Sequence, residues 1–188
     1  MMHRTIALVL LLVLGSAHDL TGTLPPPQEA FDLDSFMGQW YEIAVVSTCP
    51  YYMQRKRANP VILSMQLQRS ETNFTITTDT FKNGTCKRSS TDYMLTDTPG
   101  RFFHHVAKFG ADVDTTVVES NYEEYALLFQ LSVEKPSLIT TIIDKLYSRT
   151  VSVRPEVIDK FKTLVKQHEM NASDIIMNQW KGDCFPLN

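Results

Sequence analysis

Between residues 38 and 147, apolar and polar side chains alternate with a period of two. The runs are short and broken by turn residues, a pattern that predicts strands. In NFTITTDTF (73–81), Phe74, Ile76 and Thr78 fall on one side and Thr75, Thr77 and Asp79 on the other. Lys82-Asn83-Gly84-Thr85 follows, and Asn-Gly is a strong hairpin signal because both residues accept positive φ. Further runs at 60–68, 85–95, 101–109, 113–119, 124–132 and 138–147, with 38–46 in front, bring the predicted strands to eight. Eight antiparallel up-and-down strands close into a barrel without free edges, with room inside for one small ligand. The expectation is an all-β barrel whose inward side chains are apolar.

After residue 150 the period changes. Within Arg154–His168, Val157, Ile158, Phe161, Leu164 and Val165 share one face of an amphipathic helix, and Pro155 and Glu156 suit its first turn. This C-terminal helix is expected to pack on the barrel wall. In front of the strands, residues 1–17 combine Arg4, the apolar run Ile6–Leu14 and Gly15-Ser16-Ala17, which reads as a secretory signal peptide cleaved before His18. The run is too short to span a bilayer, which needs about 20 residues. An extended arm at 18–30, stiffened by Pro25-Pro26-Pro27, would then precede a single domain over 31–188. The chain carries a formal net charge of −3, one unit more negative without the leader. That balance argues against nucleic acid or an anionic membrane as partner. A secreted, extracellular protein is expected.

Secretion gives the three cysteines, Cys49, Cys86 and Cys184, an oxidising environment. Three pairings are possible, and each leaves one thiol over. Cys49 sits between an apolar run and the cations Arg55, Lys56 and Arg57, which either hold a thiolate by charge or form an ordinary solvated loop. No nucleophile elbow, zinc spacing, phosphate loop or calcium loop is present in the sequence. Asn73, Asn83 and Asn171 begin Asn-x-Ser/Thr sequons and are candidate glycosylation sites.

The order of these parts resembles the lipocalin family. FMGQWY (36–41) is similar to its Gly-x-Trp motif at Gly38 and Trp40, SNYEEYA (120–126) to its strand-turn motif at Asn121 and Tyr122, and LYSRT (146–150) to its late arginine motif at Arg149. The resemblance implies an eight-stranded barrel closed at one end by a cation–π contact between Arg149 and Trp40. STCP (47–50), TDTPGRF (96–102), KLYSR (145–149) and KGDCFP (181–186) are similar to segments of one secreted branch of the family. That likeness implies a Cys86–Cys184 disulfide and a free Cys49 on the first large loop, at the open mouth. It further implies a small apolar ligand, haem-like or retinoid-like, with no cofactor required, and haem at most as cargo. Cys49 would serve as a redox or scavenging thiol supported by Lys145, or as a covalent tether to a plasma protein.

The chain departs from that branch in ways that bear on these roles. Val106, Ser132 and Lys145 fall at the branch's three pocket lysines, so Lys145 alone keeps the charge, and EKPS (134–137) replaces a histidine pair. Alternation along 101–109 instead offers His104 and Lys108 as inward pocket residues, on the same face as Phe102 and Val106. The branch's precursor continues into Kunitz modules, which this sequence does not contain, so protease inhibition is not implied.

Overall fold

Gly38 opens the first strand at φ +91°, a conformation that an L side chain adopts only with strain, and so turns the chain out of the short helix α1 (Leu33–Phe36) into β1 (Gly38–Ser47). The structure is a computed structural model and describes residues 24–82, 84–182 and 184. The leader expected at 1–17 and the sequon Asn83 lie outside the described residues. After β1 come α2 (Pro50–Ala58) and seven strands: β2 (Leu63–Arg69), β3 (Asn73–Lys82), β4 (Thr85–Leu95), β5 (Arg101–Val106), β6 (Ala111–Ser120), β7 (Tyr125–Glu134) and β8 (Thr140–Ser148). Helix α3 (Pro155–Gln167), a 3-10 turn (Ala172–Asp174) and a short β9 (Ile176–Met177) follow.

Each of the eight main strands pairs antiparallel with the next, and β1 pairs with both β2 and β8, which closes the barrel. The register between β3 and β4 runs to Lys82↔Thr85, the spacing of the expected tight hairpin. A bulge in β1 between Glu42 and Ala44 shifts its pairing with β8 by one residue. β9, which the sequence pattern does not predict, pairs antiparallel with β1 beyond the residues that pair with β2, through Ala44↔Met177.

Two hydrophobic cores result. Phe36, Trp40, Leu67, Phe74, Phe102, Val117 and Leu128 fill the closed end of the barrel. Outside it, α3 buries Val157, Phe161, Leu164 and Val165 against Ile43, Leu127 and Leu146, as its stripe predicts. Before β1, the arm runs along the barrel, where the Gln28 amide donates to the Val117 carbonyl at 2.9 Å.

Two local expectations fail. The strand expected over 101–109 ends at Val106, because Ala107–Phe109 form a 3-10 turn and Gly110, at φ +57°, sends the chain into β6. The segment after Cys49, expected as a loop, is the helix α2. Its polar residues surround the axis, so no apolar stripe announces it, although Pro50 in its first turn is a proper helix start.

Candidate ligand-binding site

Side chains two apart on a strand share a face, so the core residues identify the inward set. From Trp40, Leu67, Phe74, Phe102 and Leu128 at the closed end, the same faces continue toward the mouth. They carry Thr78 on β3, Thr91 and Ser89 on β4, His104 on β5, Thr115 on β6, Gln130 and Ser132 on β7, and Lys145 on β8. The lining expected to be apolar throughout is therefore so at the closed end and mixed above it, where Val106 and Val113 share these faces. The upper half is rich in hydroxyl, amide and charged groups.

Between the halves lies a buried ionic cluster. Glu42, two residues beyond Trp40 on the inward face, is 1% exposed. One carboxylate oxygen lies 2.6 Å from Lys56 Nζ, supplied by the last turn of α2, and the other 3.3 Å from Lys145 Nζ on β8. Asn178, just past β9, donates from Nδ2 to the Glu42 carbonyl at 2.9 Å and to its carboxylate at 3.3 Å. Burial alone would raise the carboxyl's pKa, but Lys56 and Lys145 outweigh it and hold the group at about 2. Burial likewise opposes the charge on Lys145, yet the oxygens around it, Glu42 among them, hold its pKa well above the ordinary value. Tyr52, Tyr93 and Tyr147 crowd the same layer, and burial pushes all three hydroxyls up, so they remain neutral donors.

His104 faces this layer. It is 8% exposed, its ring lies 4.3 Å from that of Tyr93, and its buried Nδ1 has no hydrogen-bond partner among the described residues. Burial, then the charges of Lys145 and His105, lower its pKa from 6.5 to about 4. Between these values the unfolded chain binds the proton more readily, so stability falls as pH drops from about 6.5 toward 4. Urea unfolding midpoints at pH 7 and pH 5 check this. The wild type is expected to lose more stability between them than His104→Gln, and equal losses would contradict the assignment.

The other candidate residues scatter. Val106 and Ser132 are half-buried on the inward face nearer the mouth. Lys108 does not point into the barrel: with the strand ended at Val106 it stands exposed on the 3-10 turn, its Nζ 5.4 Å from the Phe109 ring centre. Cys49 is half-buried at the N-terminus of α2 and is a free cysteine. It is the N-cap residue of the helix whose last turn carries Lys56 to Glu42.

The cations expected around the thiol are not gathered there. They sit in the last turn of α2, roughly 10 Å along the axis at 1.5 Å per residue. Lys56 is committed to Glu42, Arg57 pairs with Asp174 at 3.3 Å, and Arg55 lies over Tyr51.

At the closed end, the Arg149 guanidinium lies 3.7 Å from the Trp40 ring centre. It donates to the carbonyls of Ser35, Met37, Gln39 and Tyr122 at 2.7–2.9 Å. Asn121 caps the turn before β7 by accepting from the amides of Glu124 and Tyr125. Tyr122, at φ +63°, accepts at its hydroxyl from the Asp32 amide at 2.9 Å. Cys86 and Cys184 form a disulfide. Of the described sequons, Asn73 is half-buried at the start of β3, and Asn171 is exposed and accepts from the Ser173 amide. Among the described residues no group of His, Cys, Asp and Glu is placed to hold a metal ion, and no helix is long and apolar enough to cross a membrane.

A closed antiparallel barrel with a Gly-x-Trp floor sealed by a late arginine and a flanking C-terminal helix defines a calyx-type binding protein. The model of the lipocalin / cytosolic fatty-acid binding protein family matches residues 37–182, and the chain belongs to that family. Its relatives include Protein AMBP, the alpha-1-microglobulin/bikunin precursor, of Pleuronectes platessa, 45% identical over 98% of this chain and 54% of the relative. Protein AMBP of Mus musculus is 33% identical over 97% of this chain and 53% of its own length. The chain thus spans about half the length of these curated relatives. Prostaglandin-H2 D-isomerase of Felis catus is 29% identical over 90% of this chain and 88% of its own. Among solved structures, one described as "The Siderocalin Ex-FABP functions through dual ligand specificities" superposes with a TM-score of 0.66. It is 17% identical and covers 82% of this chain and 96% of that one, a likeness of fold.

Proposed function

We propose that the protein is a secreted carrier that holds one small, largely apolar ligand, haem-like or retinoid-like, in the calyx. The observation that carries this reading is the closed barrel with an apolar floor of Trp40, Phe74, Phe102 and Leu128 beneath a more polar upper half. Burial of a planar ligand on that floor contributes about 25 cal/mol per Å² of apolar surface. Relatives of the AMBP type and an isomerase named for prostaglandin H2 support a small lipophilic ligand.

Titration with haem or a retinoid is expected to quench the fluorescence of Trp40 or raise the melting temperature, with at least micromolar affinity. A panel of apolar ligands that produces neither change would rule out the carrier role.

A second reading concerns Cys49. Free, half-buried and beside α2, it suits attachment to another plasma protein. With Lys56 and Arg57 committed elsewhere, a tether fits better than a scavenging thiol activated by those cations. Mass spectrometry without reduction, on protein from its native fluid, is expected to show Cys49 in a mixed disulfide. A uniformly free thiol would remove the tether.

A further inference from the structure

The three most exposed large apolar side chains among the described residues are Leu138, Tyr51 and Ile139, at 68%, 58% and 54%. All three stand at the open mouth, with Phe109 beside them at 45%. Phe109 belongs to the turn between β5 and β6, Leu138 and Ile139 to the turn between β7 and β8, and Tyr51 to the first turn of α2. These segments are neighbours. The Lys135 amide donates to the Gly110 carbonyl at 3.0 Å, and the Thr48 amide to the Ile142 carbonyl at 3.0 Å. One side of the rim is thus a continuous ridge with apolar tips. Single exposed apolar residues are ordinary, whereas a group of them on one surface marks a contact. Leu138 is the sharpest sign, because it sits at φ +56°, a left-handed conformation that glycine adopts cheaply and leucine does not. Neither that strain nor that exposure stabilises the barrel, and such an outlier points to function.

Cations are interleaved with the apolar tips. Lys108 Nζ lies 5.4 Å from the Phe109 ring centre, the Arg55 guanidinium lies 5.7 Å from that of Tyr51, and Lys135 shares a turn with Leu138. The acids on this side are Asp112, held between His105 and Lys135 at 2.7 and 2.6 Å, and the half-buried Glu134. Lys82 and Lys87 stand exposed on the β3–β4 hairpin, elsewhere on the mouth. Acids gather at the opposite end, where Glu71, Asp97, Glu123 and Glu124 occupy the turns. The net negative charge of the whole chain argues against an anionic membrane, but its division along the barrel axis reverses that argument for the mouth.

We infer that the mouth docks onto an anionic lipid surface, with Phe109, Leu138 and Ile139 entering the interfacial layer and Arg55, Lys108 and Lys135 meeting the lipid phosphates. Apolar tips taken out of water and cations set between them together hold a protein on a bilayer without spanning it. In this orientation the calyx opens toward the lipid and the acidic closed end points away. The inference concerns the rim and stands apart from the carrier reading, so its test uses ligand-free protein.

The protein is mixed with vesicles of phosphatidylcholine, alone or with about one-third phosphatidylserine, and the bound fraction is read by sedimentation. Half the protein is expected to bind at about 1 mM lipid or below when phosphatidylserine is present, and about tenfold more weakly without it or in concentrated salt. The double variant Leu138→Asp/Ile139→Asp is expected to bind tenfold or more weakly, and Lys108→Gln about fivefold. Leu138→Trp should shift its emission to the blue on vesicles. Val151→Asp, at an exposed apolar residue away from the mouth, should bind as the wild type does. Melting curves confirm that each variant is folded. Failure of the wild type to bind either vesicle would overturn the inference, as would unchanged binding by the double aspartate variant. Equal binding to both vesicle types would overturn the role of the cations. Dimers that form in place of vesicle binding, and are lost in the double variant, would assign the ridge to a second copy and overturn the lipid docking. None of these outcomes bears on binding in the calyx, which is titrated separately.

Discussion

Glu42→Ala is expected to lower the stability of the protein by about 3–5 kcal/mol, the size of effect seen when one partner of a buried ion pair is removed. Two ammonium groups rely on this carboxylate, at 2.6 and 3.3 Å, and both are largely shielded from water. Without it they repel each other in a poorly solvated layer, and Asn178 loses the side-chain acceptor for its amide. Glu42→Gln keeps the shape and an acceptor but not the charge, and should recover only a small part of the loss.

The same group sets an acid limit. Its pKa is about 2 in the fold against an ordinary 4.5, so its contribution is full above about 4.5 and is lost as pH falls through 2. That difference corresponds to about 3 kcal/mol. Chemical unfolding from pH 6 to pH 2 should show a steep acid loss in the wild type and a shallower one in Glu42→Gln. Parallel profiles would mean that the carboxylate is not held by the lysines. A stability change under about 1 kcal/mol in Glu42→Ala would mean that the cluster is hydrated and interchangeable.

Why this cluster escaped a reading of the sequence, while the barrel did not, follows from the range of the interactions involved. Strand alternation, the register of the β3–β4 pair and the stripe of α3 follow local patterns, and each appears in the fold close to where the periodicity puts it. Glu42 is different. In sequence it is one acid among many, and nothing nearby says that a residue from α2 and another from β8 will close on it. Its one local sign is its position two residues after Trp40, which puts it on the inward face.

Lys108 shows the converse. The alternation in the sequence continues past Val106, where the strand gives way to the 3-10 turn, and a lysine expected inside lies in solvent. The basic run after Cys49 misled in a third way. Charges adjacent in sequence need not surround their neighbour, because in a helix their direction is fixed by the turn and their partners by the elements packed against it.

Removing the Cys86–Cys184 bridge is expected to reduce stability by about 2–5 kcal/mol, with a fall in melting temperature on the order of 10 °C for a domain of this size. The bridge spans 98 residues, and a loop of that length corresponds to about 4–5 kcal/mol of lost chain entropy in the unfolded state. Part of the effect should also appear in the folded state. The tail between α3 and Cys184 is held by the short pairing of β9 with β1, by an isolated bridge between Val61 and Gln179, and by Asn178 on Glu42. Ile176 in the outer core, Trp180 against the Tyr41 ring and Asp174 paired with Arg57 add to these contacts, and Cys86 on β4 anchors the far end of the tail to a strand remote from β1.

The double variant Cys86→Ala/Cys184→Ala, compared with wild type under non-reducing conditions, separates the two contributions. Loss from the unfolded state alone should raise the denaturant dependence of unfolding, because the freed chain expands. Loosening of the tail should also accelerate exchange at the amides of Asn178 and Gln179, which donate to Ile43 and Pro60. Combining the double variant with Glu42→Ala should then give less than the sum of the two losses, since a detached tail has already taken Asn178 from the carboxylate. Strict additivity would show that the bridge acts through the unfolded chain only, and unchanged stability in the double variant would contradict the bridge's role altogether.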